Sequence, residues 1–363
     1  MRRLRASALI VAALALLAAT ACSRAEPAPQ PPAAAPTAGA APAAELRLGY
    51  FPNVTHAPAI IGVEQGLFTA ELGSTTLTTQ TFNAGGDAVN ALLGGSLDAT
   101  YIGSGPAINA FAKSDGQAVR LIAGATSGGA QLVVKPEITS PEQLKGKTIA
   151  TPQLGNTQDI ALKKWLIDNG LTAGDAPDAV KIANLDNPRT LDAFKQGSVD
   201  GGWLPEPWSS RLVLEAGASV LVDEATLWPN GKFPTTVLLV RTEFLNQYPD
   251  TVRALLRGHL KAIDEAAAKP DEAKAVVNQG LQKLTGKALD GPVIERAFQN
   301  ITLDPDPLAA TFPQLAKDSA TAGVTDQPTD VAGLLDVAPL NAELQAAGKS
   351  PVDAAGLDRP GNS

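Results

Sequence analysis

Four times within its first 160 residues the chain runs from an apolar, strand-like stretch through a short turn, rich in glycine or asparagine, into a run with helical spacing. These junctions fall at residues 53–56, 83–87, 103–105 and 154–158. Strand and helix alternating over short loops leave few options, because each helix must cross back over the sheet before the next strand can pair. The fold class predicted is α/β with mainly parallel sheets. One series of strands is expected at 46–50, 77–82, 99–102 and 119–124, and a second at 147–150, 180–184, 199–204 and 220–222. The stretches 131–134 and 235–240 read as strands crossing between the two series. Two lobes joined by a hinge follow, with 131–240 as the second lobe, inserted into a first lobe made of 45–130 and 241–363. Beyond residue 249 the pattern is helical to about residue 300, and the proline-rich remainder should wrap the first lobe as short helices and loops.

The sharpest junction lies in residues 149–170, IATPQLGNTQDIALKKWLIDNG. Ile160, Ala161, Leu162, Trp165, Leu166 and Ile167 recur at helical spacing, Gly170 supplies a stop, and Asn156, Thr157 and Asp159 are candidate caps. Such a helix start exposes free backbone N–H groups and the positive end of the macrodipole, which suits a small anion. The same residues also describe an ordinary, well-capped helix. Convergence tips the balance. In open α/β sheets ligands sit beyond the carboxyl ends of the strands, so two facing lobes would bring all four junctions to one cleft. The candidate ligand-binding residues there are Asn53, Thr55, His56, Gly85, Gly86, Ser104, Asn156, Thr157 and Gln158. Ser127 and Gly128, just before the first crossing strand, combine a hydroxyl with hinge flexibility or form a plain flexible loop. Trp203, Glu206, Trp208 and Arg211 are the densest cluster of large and charged side chains in the second lobe. Trp203 is either a cleft wall or core; Glu206 orients a donor, binds Arg211, or caps the helix that begins near Pro207.

The formal net charge of −8 and the lack of a basic patch with interleaved aromatics exclude nucleic acid as a partner. Arg2, Arg3 and Arg5 precede an apolar run from 6 to 19, and small residues lead into Cys22, the sole cysteine. Residues 1–22 therefore read as an export signal, too short for a comfortable membrane span. Its end resembles the lipobox of bacterial lipoproteins, which implies lipidation at Cys22 and attachment to the membrane. Residues 23–44, nearly all Ala and Pro, read as a tether. The exported body has no thiol nucleophile and no disulfide. With two histidines, no HExxH and no third glycine after Gly103 and Gly105, no metal and no cofactor are expected. His56 is the one residue placed to act as a base, were the protein an enzyme; a tethered ligand sensor is the other alternative.

Together, residues 49–51, THAPAIIGVEQGLF (55–68), FNAGGDAVNALLGGSLDATYIG (82–103), LKGKTIATPQLGNTQDIALKKWL (144–166) and DGGWLPEPWSSRL (200–212) resemble the solute-binding subunits of ABC importers of the nitrate/sulfonate/taurine family. The resemblance covers roughly residues 45–260. It implies a two-lobed periplasmic-binding-protein-like (type II) fold, no enzymatic activity, and a monomer anchored outside the cytoplasmic membrane that delivers ligand to separate permease and ATPase subunits. The aliphatic-sulfonate binders are the most similar branch. By that resemblance the oxyanion rests at the helix start formed by Asn156, Thr157 and Gln158. Thr55, His56, Gly85, Gly86 and Ser104 then face it from the first lobe, and Trp203 and Glu206 occupy positions that vary with ligand. No Arg or Lys stands in any of these junctions, Arg211 being the nearest. Charge recognition is left to backbone N–H groups and hydroxyls.

Overall fold

A computed structural model describes residues 41–358; the export segment, Cys22 and nearly all of the tether lie outside the described residues. The chain opens with β1 (Glu45–Tyr50), a 3-10 turn at Val54–His56, α1 (Ala57–Glu64), α2 (Leu67–Leu72) and β2 (Thr76–Thr81). It continues through α3 (Gly85–Leu93), β3 (Ala99–Ile102), α4 (Ser104–Lys113) and β4 (Val119–Gly128). A second series follows: β5 (Ala130–Val134), β6 (Thr148–Thr151), α5 (Thr157–Asp168), β7 (Lys181–Asn184), α6 (Asn187–Lys195), β8 (Gly201–Pro205), α7 (Trp208–Ala216) and β9 (Ser219–Asp223). After 3-10 turns at Glu224–Leu227 and Pro229–Gly231 come β10 (Pro234–Arg241), α8 (Thr242–Gln247), α9 (Pro249–Ala268), α10 (Pro270–Thr285), α11 (Gly291–Gln299) and β11 (Ile301–Leu303). A 3-10 turn at Ala309–Thr311 leads into α12 (Phe312–Thr321), and α13 (Ala338–Ala346) is the last helix described.

Two sheets result, one per lobe: β11-β4-β10-β3-β1-β2 and β7-β6-β8-β5-β9. Both are mixed. The strands that end at junctions pair in parallel, β1 with β2 and β3, and β6 with β7 and β8. The strands next to the crossings, β10 and β5, pair antiparallel with their neighbours. Helices cover both faces, so β3 and β8 are buried at every position and read as continuous rather than alternating apolar runs. In the first lobe Val252, Leu255, Leu256, Leu260 and Ile263 turn one stripe of α9 onto the sheet. His259 is buried on that stripe. Its Nε2 bonds the Gly124 carbonyl and its Nδ1 the Tyr101 hydroxyl, each at 2.8 Å.

The chain enters the second lobe at Gly128-Gly129, whose φ of +77° and +74° glycine accommodates without strain. The return comes earlier than the expected boundary at residue 240. β10 lies inside the first sheet, between β3 and β4, so the crossing back falls between Asp223 and Pro234. Seven consecutive buried residues, PTTVLLV, need partners along both edges and cover on both faces, and the middle of the first sheet supplies them. Beyond residue 300, Phe312, Leu315, Val331, Leu334 and Leu335 share a core with residues of α3, α4 and β10. Among the described residues no helix is long and apolar enough to cross a membrane.

Candidate functional site

Four helices start at one small chamber between the lobes. From the first lobe come α3, behind Ala84, and α4, behind Gly103; from the second come α5, behind Asn156, and α6, behind Asp186. They are 9 to 12 residues long, enough for each to present a developed dipole. Asn53, Thr55 and His56 complete the first-lobe wall, and Pro152, Asn156, Thr157, Gln158 and Asn187 the second. The chamber encloses about 30 Å³, and among the described residues none of its walls is Lys, Arg, Asp or Glu.

The start of α5 explains how an acidic residue sits so near without spoiling the field. Asn156 Oδ1 accepts the N–H of Asp159 at 3.2 Å and fixes the first turn. The Asp159 carboxylate turns into the lobe and accepts from Thr151 Oγ1 (3.0 Å), the Gly155 N–H (2.8 Å), Asn184 Nδ2 (3.1 Å) and Lys163 Nζ (2.8 Å). Its charge is thereby neutralised away from the chamber. The N–H groups of Thr157 and Gln158, first and second in the helix, have no carbonyl within it to bond.

The lobes touch over the chamber. Gly105 N–H donates to Thr157 Oγ1 at 3.1 Å, Gly86 N–H to Gln153 Oε1 at 2.8 Å, and Trp208 Nε1 to Asn53 Oδ1 at 2.8 Å. A Cβ on Gly103 would lie 2.6 Å from Thr157 Oγ1, so only glycine lets α4 meet α5 this closely. His56 stacks on Phe51 with ring centroids 4.5 Å apart, and its Nδ1 accepts the Phe51 N–H at 3.2 Å. Burial holds its pKa down to about 3, so the ring is neutral and its proton sits on Nε2 as a donor. Asn187 Oδ1 and Thr236 Oγ1 on the wall, and Ser104 Oγ beside Gly103, are buried with no partner among the described residues. Orphaned buried polar atoms gathered at one cavity mark a place where something polar completes the bonding.

Of the residues singled out from the sequence, Asn53, Thr55, His56, Gly85, Asn156, Thr157 and Gln158 line the chamber. Gly86 and Ser104 sit one step behind the wall. Ser127 and Gly128 lie at the end of β4, paired to β11, with the Gly128 carbonyl accepting the Thr235 hydroxyl; they serve the crossing. Trp203 is not a cleft wall. It is fully buried in the second-lobe core, edge-on to Trp165 at 6.2 Å, with Nε1 donating to Glu224 Oε2 at 2.7 Å. Glu206 is fully buried as well. Its Oε1 accepts from Asn300 Nδ2 (2.6 Å) and Arg296 Nη1 (3.2 Å), and its Oε2 from the Ser210 N–H (3.2 Å). It thus caps α7 and ties it to α11, since a buried carboxylate must find its donors inside the fold. Arg211 pairs with Glu215 instead, at 2.8 Å.

Asn83, Asn187, Thr235 and Thr236 reach the wall without having been singled out. Asn187 was accessible: Asp186-Asn187-Pro188 follows a predicted strand with cap and turn chemistry, which makes it one more junction. The two threonines read only as β-branched strand residues. Asn53, Asn83 and Asn187 also border a wider cavity of about 230 Å³. Trp208, with the Arg211 guanidinium 4.8 Å over its ring, forms one side of it, and Leu281, Ala288 and Leu289 of the first lobe the other.

Comparison with known proteins agrees with this architecture. The taurine-binding periplasmic protein of Escherichia coli (strain K12) is 30% identical over 218 residues, 59% of this chain and 64% of that protein. The nitrate import ATP-binding protein NrtC of Synechocystis is 25% identical over 237 residues, 60% of this chain and 34% of that protein. The chain thus spans less than two thirds of the length of either. Among solved structures, the nitrate-binding NrtA of Synechocystis PCC 6803 superposes with a TM-score of 0.69 at 17% identity, covering 85% of this chain and 90% of that one. The alkanesulfonate-binding SsuA of Xanthomonas axonopodis pv. citri, bound to MOPS, does so with a TM-score of 0.62 at 24% identity, covering 78% and 93%. The two-lobed α/β fold is thus that of the periplasmic binding proteins. With the family profile matching residues 39–279, the chain belongs to the NMT1-like family.

Proposed function

We propose that this chain is the extracytoplasmic capture protein of an ABC importer, closing its two lobes over a small oxyanion of the sulfonate, taurine or nitrate kind. The observation that carries this function is the aim of four helix starts, two from each lobe, into one chamber without a charged side chain. Backbone N–H groups and aligned peptide dipoles stabilise an anion in a dry pocket without a cation. His56 Nε2 adds a neutral donor; with Nδ1 engaged and the pKa near 3 it does not suit the part of a base.

A chamber of about 30 Å³ takes a compact head group and no more. The adjoining cavity of about 230 Å³, where Trp208, Leu281, Ala288 and Leu289 stand among polar and charged neighbours such as Thr285, Lys287 and Asp290, offers room for a substituted organic tail. The pair favours a substituted sulfonate, taurine included, over nitrate or bicarbonate. The names of the similar proteins support the same class. Delivery to separate permease and ATPase subunits, action as a monomer and tethering through a lipid on Cys22 belong to the same proposal.

A thermal-shift panel of taurine, alkanesulfonates, nitrate and bicarbonate tests it. A true ligand at one hundred times its Kd adds about 2.7 kcal/mol of stability. Silence from every oxyanion would overturn the proposal.

A further inference from the structure

The lobes leave a third and larger cavity, of about 820 Å³, on another side of α5. The second-lobe side is α5 with the turns Glu224–Leu227 and Pro229–Gly231; the facing side is α12 and the turn Ala309–Thr311 of the first lobe. Trp165, Trp228, Ile160 and Leu315 give it apolar and aromatic walls. Three carboxyl groups line it: the exposed Asp168, and two buried ones that reach it from opposite sides, Glu224 at 2% exposed and Asp318 at 9%.

The ion pairing around this cavity is lopsided. Both of its lysines are already paired, Lys164 with Asp168 and Lys232 with Asp304 at 3.6 Å. Glu224 instead accepts a neutral N–H from Trp203 at 2.7 Å, and Asp318 accepts from the Gln314 amide at 2.8 Å. Neither carboxyl has an ion-pair partner among the described residues. Burial pushes Glu224 up to about 8, with the charges of Asp223 and then Asp318 adding to the rise, and burial pushes Asp318 up as well against the opposing charge of Lys164. Two acids that burial disfavours as anions, facing one cavity with indole walls, lack a positive charge; an ammonium there would gain both carboxylates and an aromatic surface.

We propose that this cavity is a second binding site, for an organic cation with an apolar body, its ammonium between Glu224 and Asp318 and its body against Trp165 and Trp228. Because the two acids belong to opposite lobes, the occupant fastens α12 to the turn after β9. Thr157 lines both this cavity and the anion chamber, so filling one site steadies the helix start that serves the other.

Isothermal titration calorimetry of the full chain with n-hexylammonium, at about pH 8 where the acids can ionise, tests this, with n-hexanol as the uncharged counterpart. Hexylammonium is expected to bind, and hexanol roughly tenfold or more weaker. Glu224→Gln keeps an acceptor for Trp203 and removes the charge; Asp318→Asn does the same on the other side. Each should weaken hexylammonium roughly tenfold, and neither should lower the melting temperature, which Glu224→Gln raises at this pH by removing the buried acid. The absence of binding heat with hexylammonium, equal binding of hexanol, or unaltered affinity in Asp318→Asn, the less buried position, would overturn the proposal.

Discussion

At Thr157 one residue serves both halves of the cleft: its hydroxyl accepts the Gly105 N–H across the gap, and its own N–H heads α5. Thr157→Pro tests the second task. Proline is at home in the first position of a helix, and Asn156, with ψ of 175°, already has the extended backbone that a following proline requires. The substitution should leave the circular dichroism spectrum unchanged and weaken the anion by about 1–3 kcal/mol through the lost donor and the unpaired Gly105 N–H. Unchanged affinity would show that the turn is only a cap. Residues of this kind were legible in the sequence, because cap chemistry is local. Glu206 and Trp203 were not. What a buried carboxylate or indole bonds depends on remote partners, here Arg296, Asn300 and Glu224, and no spacing announces them.

The elements were largely legible, since strand, turn and helix alternate with little ambiguity. The exception is instructive. β10 has the composition of any buried strand, and only pairing with β3 and β4 assigns it to the first sheet. Close packing of α4 on α5 was equally invisible. Gly103 has φ −68° and ψ 153°, a conformation that alanine adopts freely, so Gly103→Ala is not strained within its own lobe. The added methyl would meet Thr157 only when the lobes close. A drop in ligand affinity of roughly tenfold or more is expected with little change in thermal stability, because the clash is confined to the closed arrangement. Equal losses in both would place the cost inside the first lobe.

Stability of the whole molecule should peak between two limbs set by its buried titratable groups. His56 and His259 are neutral in the fold, with pKa values held near 3 and 4 by burial, against about 6.5 when unfolded. Unfolding below pH 6.5 therefore takes up protons, and stability falls on that side by ~1.4 kcal/mol per pH unit for each histidine. Glu224 has the opposite sign. Raised to about 8 in the fold from an ordinary 4.5, it releases a proton on unfolding between those values, so stability falls as pH rises through that window. Between pH 4.5 and 6.5 the two protons taken up by the histidines oppose the one released by Glu224, with Asp306 and Asp318, also raised by burial, adding to the release; above 6.5 the histidine uptake is gone and only release remains. Urea unfolding across pH should give a maximum near 6.5, and Glu224→Gln should flatten the alkaline limb alone. The two lobes were legible from the double series of strands, whereas the chamber was legible only as a convergence, since its size and neutrality arise when the lobes meet. That neutrality has a kinetic side. A chain of formal charge −8 repels an approaching anion, and attraction begins only where peptide dipoles are within contact range. Added salt, with a screening length of about 10 Å at 0.1 M, should therefore speed association while leaving the escape rate nearly constant. Stopped-flow traces at rising ionic strength would show a protein that captures its anion faster, and holds it tighter, in brine than in dilute buffer.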